Sequence, residues 1–149
     1  MINKQFINNS GVLSNKDHEI QSKIEDDLRI EGQTGGTTAV VGILQDNQLT
    51  VANVGDSRAL GILDGKITPL SQDHKPSLKR ERERIRRAGG YVYDGYVYGK
   101  GGGHGLALTR SFGDLLAHHN NVVSAAPDIK TFIVGAGDIL IFEIGRAHV

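Results

Sequence analysis

The chain contains no cysteine among its 149 residues. That excludes a disulfide, a thiolate nucleophile and a thiolate metal ligand, and it fits a reducing compartment. Neither sign of charge is in excess, with 17 Lys+Arg against 17 Asp+Glu. Nothing general in the electrostatics therefore favours nucleic acid or an anionic membrane as partner. Long hydrophobic runs are lacking too. The longest, residues 39–44 (AVVGIL) and 139–142 (ILIF), fall far short of the roughly 20 residues needed to span a bilayer. The first residues, MINKQFINNSG, lack the apolar core of a signal peptide. These absences leave the expectation of a soluble intracellular protein, cytoplasmic or nuclear, with enough chain for one domain with a real core.

What is present divides into a polar head and a strand-rich remainder. Ile20, Ile24 and Leu28 recur every fourth residue and predict one short amphipathic helix, stopped near Gly32. From Thr37 the pattern turns to β. Residues 37–44 and 48–54 alternate around Gln45-Asp46-Asn47 and predict a hairpin; residues 58–63 and 66–70 predict a second, turned by Asp64-Gly65. Four short strands joined by tight turns point to antiparallel sheet, in a sandwich. Pro76 suits the first turn of a helix that would run to Ala88 and stop at Gly89. That helix carries six basic residues between Lys79 and Arg87, interrupted by Glu81 and Glu83, and reads as a solvated face rather than a nucleic-acid surface. A tyrosine-rich strand pair (Tyr91, Tyr93, Tyr96, Tyr98) follows. Two further strands are predicted over 129–134 and 139–142. No internal repeat is found.

The most informative stretch is residues 51–59, VANVGDSRA. A strand is broken by Gly55, and Asp56 is left on the strand-end turn, where a carboxylate can reach a cation while the sheet holds its backbone. Alone, Gly-Asp-Ser reads as an ordinary turn. It is accompanied, in order, by GGTTAVVGIL (35–44), LSQDHKP (70–76), Glu81-x-Glu83-Arg84-Ile85-x-x-Ala88-Gly89-Gly90-x-Val92, LALTRSFGD (106–114) and APDI (126–129). This ordered set, over roughly residues 33–142, resembles the metal-dependent protein serine/threonine phosphatases, the protein phosphatase 2C family.

The resemblance implies an α+β fold, a four-layer α-β-β-α sandwich, here expected to be incomplete at both ends. It implies a partial phosphatase domain over 1–143: a strand core at 37–70, a flap-like region at 73–105 and further core at 106–142. It implies Mg²⁺ or Mn²⁺ as cofactors and phosphoproteins as substrates. Paired hard cations about 3.5–4 Å apart can activate a water that hydrolyses a phosphate monoester directly. Asp56 matches the Asp of the family's Gly-Asp-Ser-Arg motif, which in several members helps to hold an additional, weaker metal. The family's Asp-Gly-His-Gly segment and its early phosphate-binding Arg are not found. Asp26-Asp27 has no Gly-His behind it and reads as a solvated helix face. The family's Ser-Asp-Gly after the last strand is also missing, Gly145 standing near that Asp. Residues 144–149 (IGRAHV) back-translate to a common sequencing-adapter sequence and are expected to be a non-native tail. The chain alone is therefore expected to be an inactive fragment of a phosphatase. The alternative is a pseudophosphatase, a binding or regulatory module that kept the sandwich and lost the metals.

Other candidates carry less. GKGGGHG (99–105) lacks the Gly-Lys-Ser/Thr of a P-loop and reads as a flexible loop, which makes nucleotide binding a remote third reading. It also replaces the family's Arg-Val-x-Gly, so a substrate contact from this flap is not carried over. His104, His118 and His119 lack zinc-ligand spacing and read as surface residues. His74 is expected to fix the turn before the helix, and Asp73 and Asp114 to serve turn and cap geometry. Gly36, Thr37 and Thr38 match the family's Gly-Ser/Thr-Thr-Ala strand start, and the resemblance implies a packing role, small residues there letting the strand lie near the site.

Overall fold

The computed structural model describes residues 35–114, 117, 118 and 121–144, and of His104 the backbone alone. The helix expected over 20–28, Asp26-Asp27, His119 and the tail beyond Ile144 lie outside the described residues.

Eleven strands and one helix make up the described part. Strand β1 is Gly36–Thr37, β2 Ala39–Gln45, β3 Gln48–Val54, β4 Arg58–Leu63 and β5 Lys66–Pro69. Helix α1 is Lys79–Arg87. Then come β6 Tyr91–Tyr93, β7 Tyr96–Gly99, β8 Gly102–Leu106, β9 Phe112–Gly113, β10 Asp128–Ile133 and β11 Ile139–Glu143. They form antiparallel sheets in the orders β10-β3-β2, β11-β4-β5 and β6-β7-β8, with β1 and β9 as a separate pair.

Both expected hairpins form. β2 pairs β3 from Ala39↔Val54 to Gln45↔Gln48, and β4 pairs β5 from Leu60↔Pro69 to Leu63↔Lys66. Asp64 (φ 49) and Gly65 (φ 73) both take positive φ, the backbone of a two-residue turn whose twist matches the strands. The four strands do not make one sheet, however. β3 and β4 lie in different sheets, and the Gly55-Asp56-Ser57 turn carries the chain across. The two sheets face each other through one core, in which Leu49, Val51, Ala59, Leu70 and Val134 are buried and Val40, Leu63, Phe132 and Leu140 pack around them. Gly42 leaves room for the Phe142 ring, which a Cβ there would meet at 2.6 Å. The sandwich expectation holds. The run over 37–44 is split, because Gly36 and Thr37 leave β2 to pair with Gly113 and Phe112.

α1 begins three residues beyond Pro76. Leu78 N–H first closes a turn on the Lys75 carbonyl, and the helix follows with no side-chain cap. It ends as expected. Gly89, at φ 83, lets its N–H reach the Arg86 carbonyl and that of Gly90 reach Ile85, the paired bonds of a Schellman stop. Arg84, Arg86 and Arg87 in the last turn complement the helix dipole. Ile85 packs with Val97, Val122 and Val123 in a second core beneath the β6-β7-β8 sheet. The same register puts the four tyrosines in facing pairs, Tyr91↔Tyr98 and Tyr93↔Tyr96, with Tyr91 and Tyr98 stacked 5.3 Å apart.

The Gly-rich run is not a loop, which corrects the reading of residues 99–105. Gly99 ends β7 and pairs with Gly102, which begins β8, and the irregular register between Val97 and Gly99 is taken up by positive φ at Gly102 and Gly103. A strand follows the turn where a P-loop would need a helix. No helix among the described residues is long and apolar enough to cross a membrane.

Candidate functional site

The motifs of the sequence converge around the crossing between the two sheets. Gly55 takes φ 96, and a Cβ there would lie 2.2 Å from Thr38 Cγ2 and 3.1 Å from the Arg110 carbonyl. Conformation and space both demand glycine. Thr38 and Ser57 hydroxyls meet at 2.6 Å, tying the start of β2 to the far side of the turn. Gly36 lies against Asp114, whose φ of 48 and carbonyl, accepting from Ala117 N–H, make it a turn residue as expected. Residues from 36–38, 55–57 and 110–114 thus share one neighbourhood.

His74 clamps the turn. It is fully buried, its backbone N–H donates to the Gly55 carbonyl at 2.9 Å, and its Nδ1 accepts from Gly55 N–H at 3.0 Å. An accepting Nδ1 leaves the proton of the neutral ring on Nε2. Nε2 lies 3.3 Å from Asp128 Oδ2, close but not aligned as a hydrogen bond. His74 is structural, but what its ring fixes is the Gly55-Asp56 turn rather than the turn before the helix that the sequence led us to expect. Asp73 does more than shape a turn. It receives Arg58 through two parallel hydrogen bonds, Nε to Oδ1 at 3.0 Å and Nη2 to Oδ2 at 2.7 Å, and this contact raises the Arg58 pKa further above its ordinary value.

Asp56 itself is mostly buried, and one carboxylate oxygen accepts a hydrogen bond from the Lys75 ammonium. Among the described residues no three His, Cys, Asp or Glu side chains come together as a metal-binding group. Asp56 offers a single carboxylate, already paired with a cation, whereas hard divalent ions need several oxygen ligands. The described residues therefore do not fit a Mg²⁺ or Mn²⁺ centre by themselves. Of the three histidines weighed for zinc, His118 is part-buried rather than a surface residue, and the side chains of His104 and His119 lie outside the described residues.

The largest charged assembly is one that sequence reasoning missed. Glu81, 1% exposed, sits inside the structure rather than on a solvated helix face. It accepts from Arg110 Nη2 at 2.6 Å and Nε at 3.2 Å, from Arg84 Nη2 at 3.1 Å and Nε at 3.2 Å, and from Thr109 Oγ1 at 2.9 Å. Burial alone would push this carboxyl up. The Arg110 hydrogen bonds and charge, then Arg84 and Thr109, outweigh it and hold the pKa at about 2. Arg110 continues to Asp128 through Nη1 at 3.0 Å, and Arg80 reaches Asp128 as well. Burial again opposes ionisation of Asp128, but the His74 contact, Arg110 and Arg80 keep it below the ordinary carboxylate range. From α1 to the Gly55-Asp56 turn the chain of contacts runs Glu81, Arg110, Asp128, His74, Gly55. One local signal was available: Glu81 precedes Ile85 by four residues and so shares its inward face.

Three comparisons agree with this arrangement. The profile of the family described as Protein phosphatase 2C matches residues 3–141. Protein phosphatase 1L of Bos taurus is 42% identical over 125 residues, covering 81% of this chain and 33% of that protein. Probable protein phosphatase 2C 55 of Oryza sativa subsp. japonica is 47% identical over 102 residues, covering 68% and 26%. The crystal structure of serine-threonine phosphatase 2C from Toxoplasma gondii superposes with a TM-score of 0.71 at 22% identity, over 85% of this chain and 46% of that one, which speaks to the fold. The chain spans about a third or less of the length of these two curated relatives. With the sandwich, the crossing turn at Asp56 and the matched profile in agreement, the chain belongs to the protein phosphatase 2C family.

Proposed function

We propose that the protein to which this sequence belongs hydrolyses phosphoserine and phosphothreonine on other proteins with Mg²⁺ or Mn²⁺, and that the 149-residue chain alone does not. The observation that supports this is the Gly55-Asp56 turn, held by Thr38, Ser57 and His74 at the crossing between two sheets of the family's fold. In this reading Asp56 contributes one oxygen ligand to a cation. The described residues provide no group of three ligands to complete a centre, so catalysis needs carboxylates from outside them.

The ion pair between Lys75 and Asp56 favours a second reading. A carboxylate neutralised by an internal ammonium has less attraction for a divalent ion, as expected of a pseudophosphatase that serves as a binding or regulatory module.

The test is hydrolysis of a phosphothreonine peptide with Mn²⁺, comparing the 149-residue chain with the full-length protein encoded at its locus. The proposal expects turnover by the latter, abolished by chelation and reduced by Asp56→Asn, and none by the former. Full-length protein inert at every Mn²⁺ concentration would overturn it in favour of the binding module.

A further inference from the structure

A cleft of about 400 Å³ opens between α1 and the start of β10. Asp56 does not line it; its floor is the outer side of the Glu81 network. Four cations surround it: Arg80, Arg84, Arg110 and Lys130. Their hydrogen bonds divide them into two kinds. Arg84 spends all five donors inside, on Glu81, on the carbonyls of Asn121 and Val122, and on that of Thr109. Arg110 is similarly spent on Glu81, Asp128 and the Ala126 carbonyl. These two form a fixed floor.

Arg80 and Lys130 are different. Arg80 is half exposed and makes one hydrogen bond, from Nη2 to Asp128, with Nε 3.9 Å from Glu81 Oε1, which leaves Nη1 and half of Nη2 without a hydrogen-bond partner among the described residues. Lys130 is exposed and has no ion-pair partner among the described residues. The four cations are opposed by two carboxylates, Glu81 and Asp128, so the cleft keeps a local excess of two positive charges in a chain that is neutral overall. Ala126, Pro127 and Ile129 supply an apolar wall beside the charges.

We propose that this cleft docks an acidic peptide segment of a partner protein, with two carboxylates meeting Arg80 and Lys130 and their aliphatic stems lying on Pro127 and Ile129. Charge complementarity selects the occupant. A cleft of this volume is larger than a single inorganic anion fills. Single-stranded nucleic acid would need aromatic side chains for base stacking, and none lines the cleft. The spent guanidiniums beneath keep the floor rigid, so little ordering of the protein opposes binding.

The test is fluorescence anisotropy of the 149-residue chain with a labelled decapeptide of alternating Glu and Ala, against a Lys/Ala peptide. Lys130→Glu removes the excess charge without breaking an ion pair of the fold. It should weaken binding at least about ten-fold at about 50 mM NaCl, with the difference shrinking at higher salt. Lys130→Gln should fall between. Lys66→Glu makes the same charge change on β5, away from the cleft, and should leave affinity within about two-fold. Thermal melting checks that all variants fold. Failure of wild type to prefer the acidic peptide, unchanged affinity in folded Lys130→Glu, or equal loss in Lys66→Glu would each overturn the proposal. None of these readouts depends on phosphatase activity.

Discussion

Replacing Glu81 with Gln should be among the most damaging conservative changes available to this chain. The substitution keeps the shape and removes one charge, yet five donor contacts from Arg84, Thr109 and Arg110 converge on that carboxylate. Arg84 and Arg110 stay cationic, with side chains only 26% and 10% exposed. Breaking a buried pair from one side typically costs about 3–5 kcal/mol, because a buried charge is left uncompensated. The depressed pKa gives a second scale. Glu81 falls from an ordinary 4.5 to about 2 on folding, and at about 1.4 kcal/mol per pH unit that is roughly 3 kcal/mol. Either value is a large part of the about 5–15 kcal/mol that holds a domain together.

The sign of the pH dependence follows from the depressed pKa. The Glu81 contribution is fully present above about 4.5, the unfolded value, and is lost as pH falls toward about 2, where the folded carboxyl takes its proton. Urea denaturation between about pH 7 and 2 should show wild type losing stability through this window, while Glu81→Gln, already destabilised at neutral pH, shows a flatter profile. At neutral pH the midpoint of thermal unfolding should drop by about 10 °C. A variant within about 0.5 kcal/mol of wild type at pH 7, the scatter of ordinary surface changes, would refute the claim that these guanidiniums depend on Glu81.

Three further outcomes test the turn and the second core. Gly55→Ala must place a Cβ 2.2 Å from Thr38 Cγ2 at φ 96; it should cost at least about 2 kcal/mol in urea denaturation, and wild-type stability would contradict the geometry. His74→Asn keeps an acceptor near the Nδ1 position for Gly55 N–H, whereas His74→Leu leaves that donor buried and unpaired, so by differential scanning calorimetry Leu should be worse by about 1–3 kcal/mol. Ile85→Ala, at a fully buried site, should cost about 2–5 kcal/mol, and Ile67→Ala, 79% exposed, less than about 0.5 kcal/mol. Equal effects at the two isoleucines would show that the second core does not form as described.

The legible parts of this molecule are those written in neighbouring residues. Asp64-Gly65 marks a two-residue turn whatever lies around it, and Gly89 after a basic turn marks a helix stop, so both hairpins and the end of α1 could be read directly. The ordered motifs also pointed to the Gly55-Asp56 turn, but not to His74, 19 residues away, as its clamp. Alternation of apolar residues says that a strand has an inner face, but not which sheet receives it. The separation of β3 from β4 into facing sheets was therefore not encoded in either strand's own pattern. Glycine content misled in the same way: residues 99–105 read as loop because propensity is local, while β7 offers an edge on which Gly102–Leu106 can pair.

The ion network lay further from view for a physical reason. Its contacts join residues 29 apart for Glu81 and Arg110, and 48 apart for Arg80 and Asp128. A charged residue on a basic helix is solvated by default, since burying a charge is costly. Only partners brought in by the fold reverse that expectation. Lys75 illustrates the same limit at the candidate site. It lies 19 residues from Asp56, on the loop that His74 anchors to Gly55. The clamp that fixes the Asp56 turn thus brings a competing cation to its carboxylate. The same clamp that holds the Asp56 turn in place is what leaves its carboxylate neutralised here.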